Sequence, residues 1–278
     1  MQIIIKIYLK KIICLYAFIL YKTLVTQTKQ KSGLKMQFST LNESKLHQTL
    51  KTLYSVQNDA QTEVLKNGYV YDIFSEENGI IEIQTKNLAK LLPKIMDALE
   101  RKIKITLVYP LPLETKILLT DEQGNKISYR KSPKKNNIYS IFRELTGIYP
   151  ILLEPDFTLE IVEVKITEER MRTQEPVQSQ NRRRRFRRNW IKTGKKLDEI
   201  LETRRLKTKD DYLELLPAGL EEEFCAKNIS ELLKKSNSVS APQALNIAHL
   251  IIWVFARMNL IEFTSTKNRS RFYKIIQE

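Results

Sequence analysis

The chain has 278 residues, 42% of them hydrophobic, enough to bury a sizeable core and to hold two domains. Lysine and arginine outnumber aspartate and glutamate by 47 to 32, a net charge of +15, which points to a polyanionic partner, nucleic acid first and an anionic membrane surface second. Two cysteines, two histidines and seven glycines argue against a disulfide framework, a cysteine-rich zinc site, histidine-based nucleophile chemistry and a glycine-rich phosphate loop. In chain order, residues 1–35 mix apolar residues with Lys6, Lys10, Lys11 and Lys22. The longest uncharged run there, 12–21, is about ten residues, half of what a membrane-spanning helix needs. Three readings stand for this extension: translated noncoding sequence upstream of a natural start at Met36, a membrane-associated helix, or a signal peptide.

Residues 42–55 carry Leu46, Leu50, Leu53 and Tyr54 at helical spacing, with Asn42 or Ser44 as the cap. His47 and His249 lie in apolar-periodic segments and read as core or surface residues rather than ligands. Two short strands, 69–74 and 80–85, follow, joined by a turn with an Asn-Gly pair. Asp72 and Glu82 sit symmetrically about Glu77, so the hairpin places their carboxylates opposite each other, and Gln84 shares the face of Glu82. Like charges across a strand pair are destabilising, so a divalent cation with oxygen ligands is one expectation, and plain alternation with a wetted polar face is the other. Glu63, just ahead of the hairpin, reads either as a third metal-facing carboxylate or as a solvated loop acid.

Residues 87–102 predict a helix kinked or restarted at Pro93. Strands are predicted over 104–110, 115–121 and 157–166, a further hairpin over 121–128, and a helix over 138–149. Between them the basic loop 130–135 is suited to phosphate contact. Periodicity is lost over 168–180, which reads as a linker. The run that follows holds Arg182, Arg183, Arg184, Arg185, Arg187 and Arg188, interleaved with Phe186 and Trp190, which suits phosphate neutralisation plus stacking. Residues 208–278 predict a small winged helix-turn-helix module, with helices over 210–216, 228–235 (capped by Asn228) and 242–258 (capped by Ser240). Gln243 and Asn246 would face a DNA groove, and Lys267, Arg269 and Arg271 would arm the wing. The last helix is so apolar that packing or homodimerisation is the alternative to DNA reading.

The hairpin also carries a resemblance. Asp72, nine intervening residues and then Glu82-Ile83-Gln84 on an apolar strand followed by a helix resembles the PD-(D/E)XK nuclease superfamily, the restriction-endonuclease-like fold. The run IEIQTKN, followed later by LVYPLP and RKSPKK, is similar to an uncharacterised bacterial group within it, over roughly residues 41–166. The resemblance implies an α/β architecture, an αβα sandwich with a mixed sheet over 36–167, followed by the basic arm 168–207 and the winged-helix module. It implies Mg²⁺ or Mn²⁺ held by Asp72 and Glu82, with Glu63 as a further ligand. Gln84, standing where the superfamily usually has lysine, would orient the attacking water, and Lys86 would stabilise developing charge. Lys86 and Lys94 are candidates for a displaced lysine. The expected protein is a cytoplasmic, Mg²⁺-dependent DNA nuclease. The rivals are a DNA-binding protein on an inert nuclease fold and, more weakly, a membrane-surface protein.

Overall fold

Seven strands form one mixed sheet in the order β1-β2-β3-β4-β6-β7, with β5 paired to β4. The computed structural model describes residues 44–134, 136–179, 182, 184–236 and 239–276; the extension 1–35, the Met36 start and Arg183 of the arginine run lie outside the described residues. Helix α1 (Lys45–Gln57) begins at Ser44, whose hydroxyl accepts the His47 N–H at 3.3 Å. Strands β1 (Gln61–Lys66), β2 (Tyr69–Ser75) and β3 (Gly79–Ile83) form an antiparallel meander. The second hairpin has the register its sequence predicts, with Ile73 opposite Ile81 and Ser75 opposite Gly79. Gly79 has a φ of +74°, and a Cβ there would lie 2.3 Å from the Lys104 carbonyl oxygen, so only glycine lets β3 start beside the next strand.

A 3-10 turn (Leu88–Leu91) leads into α2 (Leu92–Glu100), with Pro93 in its first turn, where the missing N–H costs nothing. Strand β4 (Ile105–Thr120) runs parallel to β3, and β6 (Phe157–Val177) runs parallel to β4. Strand β5 (Lys126–Lys131) folds back on the far end of β4, and β7 (Arg188–Leu206) returns antiparallel to β6. The two sheet faces are buried separately. Leu46 and Leu50 of α1 pack with Ile73, Ile81, Ile83 and Val108 on one face. Ile95 and Ala98 of α2 pack with Ile80, Ile105 and Leu107 on the other. Each buried leucine or isoleucine contributes on the order of 1.5–3 kcal/mol.

Three expectations are corrected. The strands predicted at 104–110 and 115–121 are one strand, β4, because Pro110 and Pro112 do not interrupt it. The Val108 carbonyl points toward β3 and accepts the Gln84 N–H at 2.9 Å. Residues 110 and 112, of the same parity, therefore aim their absent donors at an edge that neither β3 nor β5 reaches. The helix predicted over 138–149 is a chain of short turns around α3 (Phe142–Leu145). The linker over 168–180 is largely the second half of β6, and the basic arm 168–207 includes the whole of β7. Past Thr167 no residue of β6 is buried. A strand with neither face packed has no reason to alternate, which is why its sequence shows no periodicity.

The C-terminal part contains α4 (Lys209–Leu213), α5 (Ala226–Lys235), α6 (Ala241–Arg257) and the hairpin β8 (Ile261–Lys267) and β9 (Ser270–Ile275). Phe224, ahead of α5, bridges to Tyr273 of β9. Asn268 and Arg269 turn the hairpin with φ of 49° and 63°. Asn228 does not cap α5; it sits inside the first turn, and its Oδ1 accepts the Cys225 N–H at 2.9 Å. The apolar face of α6 is spent within the chain: Phe255 meets Phe142 edge-on at 5.4 Å and Trp253 meets Tyr149 at 5.3 Å. Residues from both parts thus share one continuous core. Among the described residues no helix is long and apolar enough to cross a membrane.

Candidate active site and nucleic-acid interface

The β2–β3 ladder opens at Asp72 and Glu82, and the two carboxylates take over the backbone donors there. Glu82 Oε1 accepts the Asp72 N–H at 3.0 Å, and Asp72 Oδ2 accepts the Ile83 N–H at 2.9 Å. On the other side, the β1–β2 register skips Glu63 and Asp72, and Glu63 adopts a left-handed φ of 59°. Tyr71 and Ile73, two apart, accordingly pack into the cores of opposite faces, so the strand turns over at Asp72.

Each of the three acids has a base brought to it by a flanking helix. From α1, His47 donates from Nε2 to Asp72 Oδ2 at 3.2 Å, and Lys51, one turn later, pairs with Glu63. From α2, Lys94 Nζ donates to Glu82 Oε1 at 2.6 Å and to the Val70 carbonyl at 2.5 Å, with the Tyr71 ring centroid 4.6 Å away. Glu82 is 2% exposed. Burial first, and then the Asp72 charge, push its carboxyl up to about 7 against the pull of Lys94. Burial works to raise Asp72 as well, but His47, the Ile83 N–H and Lys94 outweigh it and hold that carboxyl below its ordinary value.

The hairpin thus brings Asp72 and Glu82 together as the sequence predicts. Glu63 is not gathered in: it turns to Lys51, and among the described residues no three His, Cys, Asp or Glu side chains converge as a metal cluster. Gln84 is half-buried and continues the ladder to β4 through its N–H. Lys86 is exposed and has its charge close to Lys195 of β7. The lysine at the carboxylates is Lys94. His47, which from the sequence reads as a core or surface residue, is the partner of Asp72; its position one turn before Lys51, beside the buried Leu46 and Leu50, marks two bases aimed at the sheet.

The donor chemistry fits a magnesium-type ion through two carboxylates rather than three. The hydrogen bonds fall on Asp72 Oδ2 and Glu82 Oε1, which leaves the other oxygen of each carboxylate without a hydrogen bond among the described residues. Mg²⁺ is commonly held by one or two carboxylates and keeps several waters.

The arginine run is the tip of the β6–β7 hairpin. Arg182, Arg185, Arg187 and Arg188 are exposed, whereas Arg184 is half-buried and donates to the Val177 and Trp190 carbonyls at 3.4 and 3.2 Å. Arg170 and Arg184 lie 3.8 and 4.0 Å from the Trp190 ring centroid, so this ring is engaged within the fold, and Phe186, 59% exposed, is the open aromatic of the run. In the C-terminal part Gln243, Asn246, Arg269 and Arg271 are exposed, while Lys267 is tied to Glu223 at 2.7 Å. Between α6 and β9 runs a groove of about 860 Å³ whose lining includes Leu245, His249, Trp253, Arg257, Arg269 and Arg271.

Residues 44–207, more than half of the chain, match the model of a family described as "Domain of unknown function (DUF8091)"; the match ends within one residue of the end of β7. A protein of Treponema pallidum (strain Nichols), described as uncharacterized, is 28% identical over 198 residues, covering 70% of this chain and 74% of that protein. No solved structure matches the chain.

Proposed function

The chain belongs to the family described as Domain of unknown function (DUF8091), and from that premise we propose a metal-dependent phosphodiesterase acting on DNA, built on a restriction-endonuclease-like sandwich with a winged-helix module behind it. The observation that carries the reading is the buried Glu82–Lys94 pair beside Asp72, at the point where the β2–β3 ladder opens. Support for the fold comes from the sheet order, an antiparallel meander followed by parallel β4 and β6 with helices on both faces. The helix–bridge–helix–helix–hairpin order after residue 208 likewise matches a winged helix.

Asp72 and Glu82 would hold Mg²⁺ or Mn²⁺, which when bound supplies positive charge at the scissile phosphate and a more acidic water. The remaining work falls to the chain. His47 fixes the rotamer of Asp72, because an ionised carboxylate only accepts and His47 Nε2 donates to it. Lys94 takes the lysine's part that Gln84 cannot, holding positive charge against Glu82 where negative charge develops. Gln84 lies two residues along from Glu82 and would orient the water. The β6–β7 tip and the exposed faces of α6 and the wing would hold the duplex.

A second reading is favoured by one observation: all three acids already have a basic partner from the protein, and Gln84 replaces the usual lysine. That arrangement suits a DNA-binding protein whose nuclease-like site is inert. Incubation of full-length protein with mixed DNA substrates, in Mg²⁺ or Mn²⁺ and in EDTA, separates the two. Metal-dependent cutting that disappears in Glu82→Ala supports the nuclease. Salt-sensitive DNA binding with no cutting and no metal-dependent thermal shift leaves the inert reading.

A further inference from the structure

A second concentration of charge lies on the bare part of the sheet. Lys195 of β7 pairs in register with Glu168 of β6, and Lys192 Nζ lies 2.7 Å from Glu168 Oε2. Arg170 lies 2.6 Å from the other oxygen, Oε1, so both oxygens of this carboxylate are already engaged. Lys86, from the segment leaving β3, and Lys134, from the loop leaving β5, are close enough to act on Lys195 by charge. Arg170, Lys192 and Lys195 thus surround Glu168, and Lys86 and Lys134 add their charge at Lys195, five cations from four stretches of chain. Lys86, Lys134 and Lys195 make no ion pair among the described residues.

Such a grouping works against the fold. Lys195 is half-buried, and burial, followed by the charges of Lys192, Lys86 and Lys134, drives its ammonium down to about 8 in spite of Glu168. Glu168 is a single counter-ion among these cations, and both of its oxygens are taken. A ligand suited to the remaining charge is an anion. Its shape follows from the layout: β7 runs from Arg188 to Lys195, roughly 20 Å at about 3.3 Å per residue, and joins this cluster to the exposed arginines at the hairpin tip. A line of cations of that length matches a chain of regularly spaced negative charges rather than a single small anion. The other end of the line, Lys86, is two residues from Gln84.

We propose that Lys86, Lys134, Lys192 and Lys195 form a phosphate-binding track that receives the DNA backbone leaving the Asp72–Glu82 site, with Arg185, Arg187 and Arg188 as its outer end. The track rests on the DNA reading above and adds to it a path for the backbone along β7, over the sheet extension.

The test is the salt dependence of binding of a fluorescein-labelled 20-base-pair duplex, by anisotropy in EDTA, for full-length protein and for the double variant Lys134→Gln/Lys195→Gln. Removing one lysine–phosphate pairing lowers the slope of log K against log salt by about 0.9, so the double variant is expected to have a slope smaller by about 1.8. Its Tm without DNA, at low salt, should hold or rise, since repulsion is relieved. A slope equal to that of the parent overturns the track, and so does a falling Tm with an unchanged slope, which marks a structural role. A lowered slope in a protein that never cuts DNA keeps the track and removes only the nuclease.

Discussion

The hairpin site and the sheet extension handle charge in opposite ways. At the hairpin, each of three acids has a base, and the Glu82–Lys94 pair is almost fully buried. On the extension, Lys86, Lys134 and Lys195 make no ion pair among the described residues, and Glu168 is already engaged twice. Both regions belong to one sheet, with β4 between them. Helices α1 and α2 cover the first and deliver bases to it; no residue of β6 beyond Thr167 is buried, and Glu168 there answers Lys192 and Arg170 while Lys195 stays unmatched among the described residues. Matched charge marks a site built to be held in place. Unmatched charge marks a surface built to be covered.

The largest effect should come from breaking the matched pair on one side. Glu82→Ala leaves Lys94 in the site without its carboxylate and is expected to cost about 3–5 kcal/mol in denaturant melts, along with all cleavage. DNA affinity measured on the same protein should stay close to wild type. Replacing both partners, Glu82→Met with Lys94→Met, should restore most of the stability and none of the cleavage, since an apolar pair of similar volume avoids the desolvation. If the double variant is no more stable than Glu82→Ala, the pair is not what holds this corner.

The pH dependence of stability is next in size. Because Glu82 is raised from 4.5 to about 7, the folded protein keeps a proton that the unfolded chain releases in that window. Stability should therefore fall as pH rises from 4.5 to 7, by up to about 3 kcal/mol at 1.36 kcal/mol per unit, and Glu82→Gln should flatten that fall. Asp72 has the opposite sign: its contribution is present above the ordinary value of 3.8 and is lost below it, as acid protonates the folded carboxylate. On the proposed reading, the same ionisation would gate the metal. Mn²⁺ should stabilise the protein by about 2.7 kcal/mol at a hundred times its Kd, with a thermal shift that grows as pH passes 7 and vanishes in Glu82→Ala. The smallest effect sharpens the comparison from the other side. Glu63→Ala, at an acid that pairs with Lys51 outside the metal pair, should cost about 1 kcal/mol and leave cleavage and the Mn²⁺ shift unchanged.

What the sequence by itself determined was local. The Asn-Gly turn and the symmetry of Asp72 and Glu82 about residue 77 set the hairpin register, because with a two-residue side-chain period a one-residue slip would turn Glu82 onto the apolar α1 face in place of Ile81 and Ile83. Pro93 set the start of α2, and Ser44 that of α1, because capping and proline chemistry act within a single turn. Tertiary structure alone decided the rest. That β4 continues through two prolines depends on an edge left unpaired, and that 168–177 is strand depends on β7 beside it, which supplies hydrogen bonds without any apolar pattern. The partners of the carboxylates were also beyond the sequence. His47 and Lys94 lie 25 and 12 residues from the acids they serve, and Lys195 lies far from Lys86, so their meeting is set by how the helices and the long strands cross the sheet. Turns and caps are fixed by neighbours in the chain; charge matching is fixed by neighbours in space.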